Sequence, residues 1–179
     1  FLATHSLDVG KPIISLIPGS RKQEIEKKLP VMLEAVSSYT KEFNIVIAGM
    51  RNFKDLYGKI TLNSNVKVIY KDTYNLLNNS SRALVTSGTA TLETAFFNVP
   101  QVVCYKTSWL SYIIAKTLVK IKYISLVNLI MNQEVVKELI QNDLSVFKLT
   151  IRSTRCKLTL SSSSNNIHYS ICDFRYRVL

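Results

Sequence analysis

The octapeptide TSGTATLE, Thr86–Glu93, lies between a short apolar run, ALV (Ala83–Val85), and an apolar stretch, TAFFNVP. A glycine at such a place lets the chain turn tightly, but a turn does not require three threonines and a serine. Hydroxyls crowd around Gly88, and one carboxylate, Glu93, follows five residues later. The setting decides the reading. A short strand runs into the glycine and a helical pattern runs out of it, and in open α/β sheets ligands bind just outside the carboxyl ends of strands.

The same grammar occurs earlier in the chain. PIISLIP (Pro12–Pro18) reads as a buried strand and leads into GSRKQE, a glycine turn that opens a helix. Ser20 is the expected N-cap, with Gln23 three residues on as its capping-box partner. The helical pattern continues to Phe43, and Pro30 is expected to divide it, because proline is tolerated at a helix start but not inside one.

Between and beyond the two turns, β-branched runs alternate with helical stretches. NIVIAG (Asn44–Gly49) and VKVIY (Val66–Tyr70) read as strands, with FKDLYGKI between them as a short helix and TYNLLNNS after them as another. ALV is a fourth strand and TATLETAFFN a helix. QVVCYK (Gln101–Lys106) is a fifth strand, followed by helical WLSYIIAKTLVK. EVVKELIQ (Glu134–Gln141) is expected to be a final helix. Alternation of this kind predicts an α/β, Rossmann-like, doubly wound parallel sheet covered on both faces. Residues 1–147 form this domain. Residues 148–179 differ in character: they contain SSSSNN, no glutamate and no helical period, and are expected to be an atypical tail, either disordered, an added edge strand from CKLTL, or an out-of-frame end.

The two turns have a shared chemistry. Gly19 allows close backbone approach, the first amides of the following helix lack intrahelical partners, and Arg21 offers a planar fork suited to phosphate oxygens. Ser87, Gly88 and Thr89 repeat the arrangement with hydroxyls, and Thr91 adds a further one. Glu93 is repelled by phosphate but can accept hydrogen bonds from vicinal ribose hydroxyls. Each turn taken alone is also readable as an ordinary helix start, with a solvated Arg in one case and a first-turn acid complementing the dipole in the other. Two such turns in one sheet favour a nucleoside diphosphate. Neither GxxxxGK[ST] nor GxGxxG occurs, so the nucleotide is not expected to be held as in P-loop or NAD proteins.

PGSRKQEI, VTSGTATLETAFFNVPQVVCYK and LVKIKYISLVNLIMNQEVVKELIQ together resemble lipid-A-disaccharide synthase, in order and spacing over roughly Pro12 to Leu144. SGT…E alone is shared more widely among GT-B glycosyltransferases and sugar-nucleotide epimerases. The resemblance implies one half of a GT-B fold, the C-terminal nucleotide-binding half. It implies a glycosyltransferase of bacterial lipid A assembly that moves 2,3-diacylglucosamine from its UDP carrier to 2,3-diacylglucosamine 1-phosphate and releases UDP, without metal or cofactor. By motif match, Gly19, Ser20 and Arg21 correspond to the phosphate-proximal loop, with Arg21 as the catalytic residue that stabilises the departing diphosphate. Ser87, Gly88 and Thr89 match the second glycine turn, Glu93 the ribose contact, and Asn128 and Glu134 a segment facing the donor. The partners implied are the UDP-diacylglucosamine donor, an N-terminal acceptor-binding half, and an anionic membrane surface at the cytoplasmic face of the inner membrane. The segment after Ser145 does not resemble the family's closing helices, so the chain is expected to be inactive by itself. The chain starts at Phe1 without an initiator Met, which fits a fragment.

Composition narrows the alternatives. The 179 residues carry a net charge of +11, of which +5 falls in the last 32 residues. A basic chain suggests an anionic partner, yet no RNP, zinc-finger or helix-turn-helix signature and no run of aromatics interleaved with Lys or Arg occurs, so nucleic acid is not expected. No apolar run approaches the roughly 20 residues that span a bilayer. WLSYIIAKTLVKIKYISL reads as a core helix and strand or, with Lys116, Lys120 and Lys122, as a surface against anionic lipid. Three cysteines and two histidines show no metal-ligand spacing, and Cys104 within QVVCY reads as a small core residue. The competing functions are another GT-B-shaped UDP-sugar enzyme, such as a UDP-GlcNAc epimerase, and a non-catalytic UDP-binding fragment.

Overall fold

The computed structural model describes residues 1–105, 123–140, 158–163 and 166–171. Its centre is a six-stranded parallel sheet. In chain order the elements are β1 (Ile13–Ile17), α1 (Lys22–Val36), β2 (Asn44–Gly49), α2 (Lys54–Thr61), β3 (Lys67–Tyr70), α3 (Thr73–Asn78), β4 (Ser80–Thr86), α4 (Ala90–Phe96), β5 (Gln101–Tyr105), α5 (Leu126–Met131) and β6 (Lys137–Ile140). The sheet order is β3-β2-β1-β4-β5-β6, with every neighbouring pair parallel. This is the Rossmann arrangement, and it puts the reversal of strand order between β1 and β4. A separate antiparallel ribbon pairs β7 (Leu158–Ser163) with β8 (Asn166–Ile171).

β1 is buried along its whole length because helices cover both faces of the sheet. Alternate residues serve opposite sides. Ile14 and Leu16 pack with Ile25, Leu29 and Met32 of α1 and Tyr57 of α2. Ile13 and Ile17 pack with Leu76 and Leu77 of α3 and with Phe1, Leu2 and Leu7 of the N-terminal segment. A fully buried aliphatic side chain of this kind contributes about 1.5–3 kcal/mol. Cys104 is a core residue, and burial pushes its thiol up to about 12, as in a structural rather than a reactive cysteine.

Three local expectations are corrected. α1 starts one residue later than expected: Arg21, not Ser20, holds the N-cap backbone conformation, and Glu24 rather than Gln23 reaches back to the cap amide. Pro30 does not divide the helix, which runs unbroken from Lys22 to Val36. The carbonyl left without a donor belongs to Glu26, which is exposed, as is Pro30 itself, so water can satisfy it. The buried stripe Ile25, Leu29, Met32 and Val36 meanwhile holds both ends against the sheet. Finally, the described part of EVVKELIQ, residues 134–140, is not a helix. Lys137–Ile140 is strand β6, pairing with β5 from Val102↔Lys137 to Tyr105↔Ile140. An open edge on β5 offers a row of backbone partners that a helix there would leave unpaired. The stretch WLSYIIAKTLVKIK, with Lys116, Lys120 and Lys122, lies outside the described residues.

Candidate nucleotide site at the topological switch point

Because β1 and β4 are neighbours, their carboxyl-end turns face the same crevice although they are far apart in sequence. A cavity of about 520 Å³ opens there, within the range of small-molecule and cofactor sites. Gly19, Ser20 and Arg21 line it from the first turn, Ser87, Gly88 and Thr89 from the second, and Glu93 from the first turn of α4. Glu24, Met50, Thr73, Ile124 and Leu126 are among the other residues of its walls.

The first turn is a charged cradle. Gly19 has φ 109°, a conformation that other residues adopt only under strain. A Cβ at Gly19 would also run into the Glu24 carboxylate. That carboxylate accepts the Arg21 backbone N–H at 3.4 Å and sits 3.5 Å from the Arg21 guanidinium. The Arg21 side chain is 83% exposed at the mouth of the cavity, so its fork, paired with Glu24 at one nitrogen, still faces solvent where an anion would arrive. Behind it stands a 15-residue helix whose N-terminal end adjoins the cavity through Arg21 and Glu24. Both features favour negative charge.

The second turn is uncharged. Gly88 has φ 149°, and nothing lies within 4 Å of where its Cβ would be. Thr91 is buried and donates its hydroxyl to the Gly88 carbonyl at 2.8 Å, which closes the turn rather than facing a ligand. Ser87 donates to the Ile124 carbonyl at 2.9 Å and so ties this turn to the opposite wall. Thr86, at the end of β4, has a buried hydroxyl with no hydrogen-bond partner among the described residues. Glu93 is half-buried on the cavity side of α4, across the opening from Arg21's turn.

Asn128 and Glu134 do not line this cavity. Asn128 is wholly buried. Its amide oxygen accepts the N–H groups of Val135 and Val136 at 2.7 and 2.8 Å, and its NH2 donates to the Val136 carbonyl and the Glu138 carboxylate at 2.7 and 2.8 Å. No polar capacity is left for a ligand. Glu134 is exposed and pairs with Lys137 at 3.2 Å. The residue that sequence reasoning missed is Glu138, whose carboxylate accepts the N–H groups of Ile124 and Ser125, each at 2.9 Å. Assigning a helix to this segment hid it. The β-branched pair Val135–Val136 was the available signal for an extended chain.

Asp72 is committed outside this cavity. Asp72 receives hydrogen bonds from His5 at 3.0 Å and Asn75 at 2.6 Å, and these hold its carboxyl below the usual carboxylate range. Among the described residues no three His, Cys, Asp or Glu side chains cluster as metal ligands, and no helix is long and apolar enough to cross a membrane.

The comparisons with known proteins agree with this architecture. A family model described as lipid-A-disaccharide synthetase matches residues 2–175. The lipid-A-disaccharide synthase of Solibacter usitatus is 34% identical over 152 residues, covering 81% of this chain and 39% of that protein. The synthase of Sulfurihydrogenibium sp. is 33% identical over 176 residues, covering 88% and 45%. The chain thus spans about two-fifths of the length of the curated relatives it matches. Among solved structures, the ADP complex of the E. coli heptosyltransferase WaaC superposes with a TM-score of 0.52 at 15% identity, covering 85% of this chain and 47% of that one. The UDP-GlcNAc 2-epimerase of Methanocaldococcus jannaschii gives 0.51 at 15% identity, covering 84% and 40%. At such identities these likenesses speak to the fold alone, whereas the family model covers nearly the whole sequence. On that match, the chain belongs to the lipid-A-disaccharide synthase family.

Proposed function

We propose that this chain is the donor-binding half of a lipid-A-disaccharide synthase, the part that holds UDP-2,3-diacylglucosamine while the sugar passes to the 6-hydroxyl of 2,3-diacylglucosamine 1-phosphate. The observation that carries the reading is the convergence of two glycine turns at one switch-point cavity, one bearing Arg21 and the other hydroxyls and Glu93. In this reading the diphosphate lies at the N-terminus of α1 and the ribose lies beside Glu93. As the glycosidic bond to UDP breaks, negative charge grows on the diphosphate. The Arg21 guanidinium and the helix-end amides stabilise that charge at the moment it develops, which is where such groups contribute most to rate. Ser20, Ser87, Gly88 and Thr89 shape the backbone around the phosphates.

The acceptor and the carboxylate that removes its proton belong to a second half facing this cavity. Positioning two substrates lowers a barrier by on the order of 7–11 kcal/mol, and a general base adds about 10²–10⁴-fold. This chain alone therefore binds UDP but forms no disaccharide. The acylated substrates place the working enzyme at an anionic membrane surface, on the cytoplasmic face of the bacterial inner membrane.

Isothermal titration of the 179-residue chain with UDP and with AMP tests the reading. Heat with UDP and a clear preference over AMP is the expected result. No heat with UDP at high micromolar protein would sink it.

A further inference from the structure

We propose that Glu138 is a positioning residue for the nucleotide cavity. It acts by holding the 124–126 segment as a fixed wall against which the second glycine turn is set. The proposal rests on the donor-binding reading above, because it assigns a role in shaping that cavity.

The chemistry is local and complete. Glu138 lies on β6, the edge strand, and its two carboxylate oxygens accept the backbone N–H groups of Ile124 and Ser125. The same carboxylate takes a third hydrogen bond from Asn128. Asn128 in turn pins Val135 and Val136, the residues that deliver the chain into β6. Ser125 caps α5, its hydroxyl accepting the Asn128 N–H at 3.2 Å. Each of these groups is satisfied by another of the set, as a buried polar network must be to favour one conformation. What the network fixes is a wall of the cavity, since Ile124 and Leu126 line it. The wall then holds the second turn, because the Ile124 carbonyl accepts the Ser87 hydroxyl. A chain of hydrogen bonds thus runs from an edge strand, through Glu138 and Ile124, to the residue before Gly88.

A carboxylate is needed here, not merely an acceptor. Two adjacent N–H groups converge on two oxygens, and the amide of a glutamine would present a donor to one of them. Electrostatics and positioning also predict opposite signs. Glu138 is one backbone residue removed from the cavity, so neutralising it should strengthen the binding of an anion through Coulomb's law. Losing the wall should weaken it.

The test uses the whole chain with UDP as the probe, at a temperature well below the melting transition of every variant. Glu138→Gln is expected to weaken UDP binding about tenfold in protein that remains folded, and Ser87→Ala to weaken it several-fold. In the Ser87→Ala background, Glu138→Gln is expected to cost much less affinity, while its effect on melting temperature stays the same size. A purely structural role for Glu138 would give the melting effect without the affinity effect. Unchanged or tighter UDP binding by Glu138→Gln would overturn the proposal, as would losses from Ser87→Ala and Glu138→Gln that simply add. Failure of the wild-type chain to bind UDP would instead overturn the donor-binding reading, and this inference with it.

Discussion

The two glycine turns occupy equivalent places at the ends of neighbouring strands, yet they are built differently. The first, after β1, carries a guanidinium, a carboxylate that buttresses it, and a helix of 15 residues. The second, after β4, has hydroxyls, a helix of only seven residues, and a tie to the opposite wall through Ser87. Gly19 is confined by Glu24, whereas Gly88 faces empty space. The difference separates two tasks. In the proposed donor-binding reading the first turn supplies charge and dipole for an anion. The second supplies shape and hydroxyls, with Glu93 suited to sugar hydroxyls rather than phosphate.

The strongest way to break this contrast is at the glycines. Gly19→Ala is expected to carry about 1–3 kcal/mol of backbone strain. It should also displace Glu24 from the cap, at a further cost of about 0.5–2 kcal/mol. Gly88→Ala should show only the strain, because a methyl group finds no neighbour there. Denaturant melts of the two variants compare them directly, and equal losses would mean that Glu24 does not hold the first turn.

A second experiment sharpens the division between charge and shape. Arg21→Ala is expected to weaken UDP binding by about 1–3 kcal/mol, the scale of a charge-assisted hydrogen bond. Raising the salt should shrink that difference, because Arg21 is exposed. Glu93→Gln is expected to cost less, about 0.5–1.5 kcal/mol, with little dependence on salt, and 2′-deoxy-UDP should bind the unaltered chain more weakly than UDP. Equal binding of the deoxy nucleotide would remove the 2′-hydroxyl from Glu93's role and leave the 3′-hydroxyl. An unchanged affinity in Arg21→Ala would reduce that residue to a surface side chain.

The smallest effect concerns the interior behind the first turn. Lys28 on α1 is buried, and burial lowers its ammonium pKa below the ordinary value of 10.5. A depressed folded-state pKa means that the charge penalises the folded chain at neutral pH. The penalty is full below the folded pKa and relieved as pH rises toward 10.5. Lys28→Met should therefore raise the melting temperature at neutral pH. The advantage over wild type should fade as the pH approaches 10.5. A gain independent of pH would assign the effect to packing instead.

Much of the fold is local and was therefore legible. β1 to β5 are runs of β-branched and aliphatic residues, and the two turns are marked by glycines that backbone geometry demands. α1 to α4 follow apolar spacing. These features depend on a residue and its near neighbours in sequence, so pattern alone reaches them. Seven of the nine residues singled out for a ligand line one cavity for the same reason. They belong to strand-end turns, and a doubly wound order brings such turns to one edge.

Partners distant in sequence decided the rest. The spacing of EVVKELIQ suits a helix as well as a strand, and only the vacant edge of β5 chose the strand. Asn128 looks like a ligand-facing amide until Val135, Val136 and Glu138 are seen to use its whole hydrogen-bonding capacity. Pro30 stays inside α1 because the opposite side of that helix is buried against the sheet, a stabilisation that local propensity does not contain. The strand order, too, came from tertiary structure: it is what sets Gly19 beside Gly88 and makes two ordinary turns into one cavity. Residue type and local backbone geometry set the chemistry each turn could offer, and long-range pairing determined which of those groups line the cavity and which are used up inside the fold.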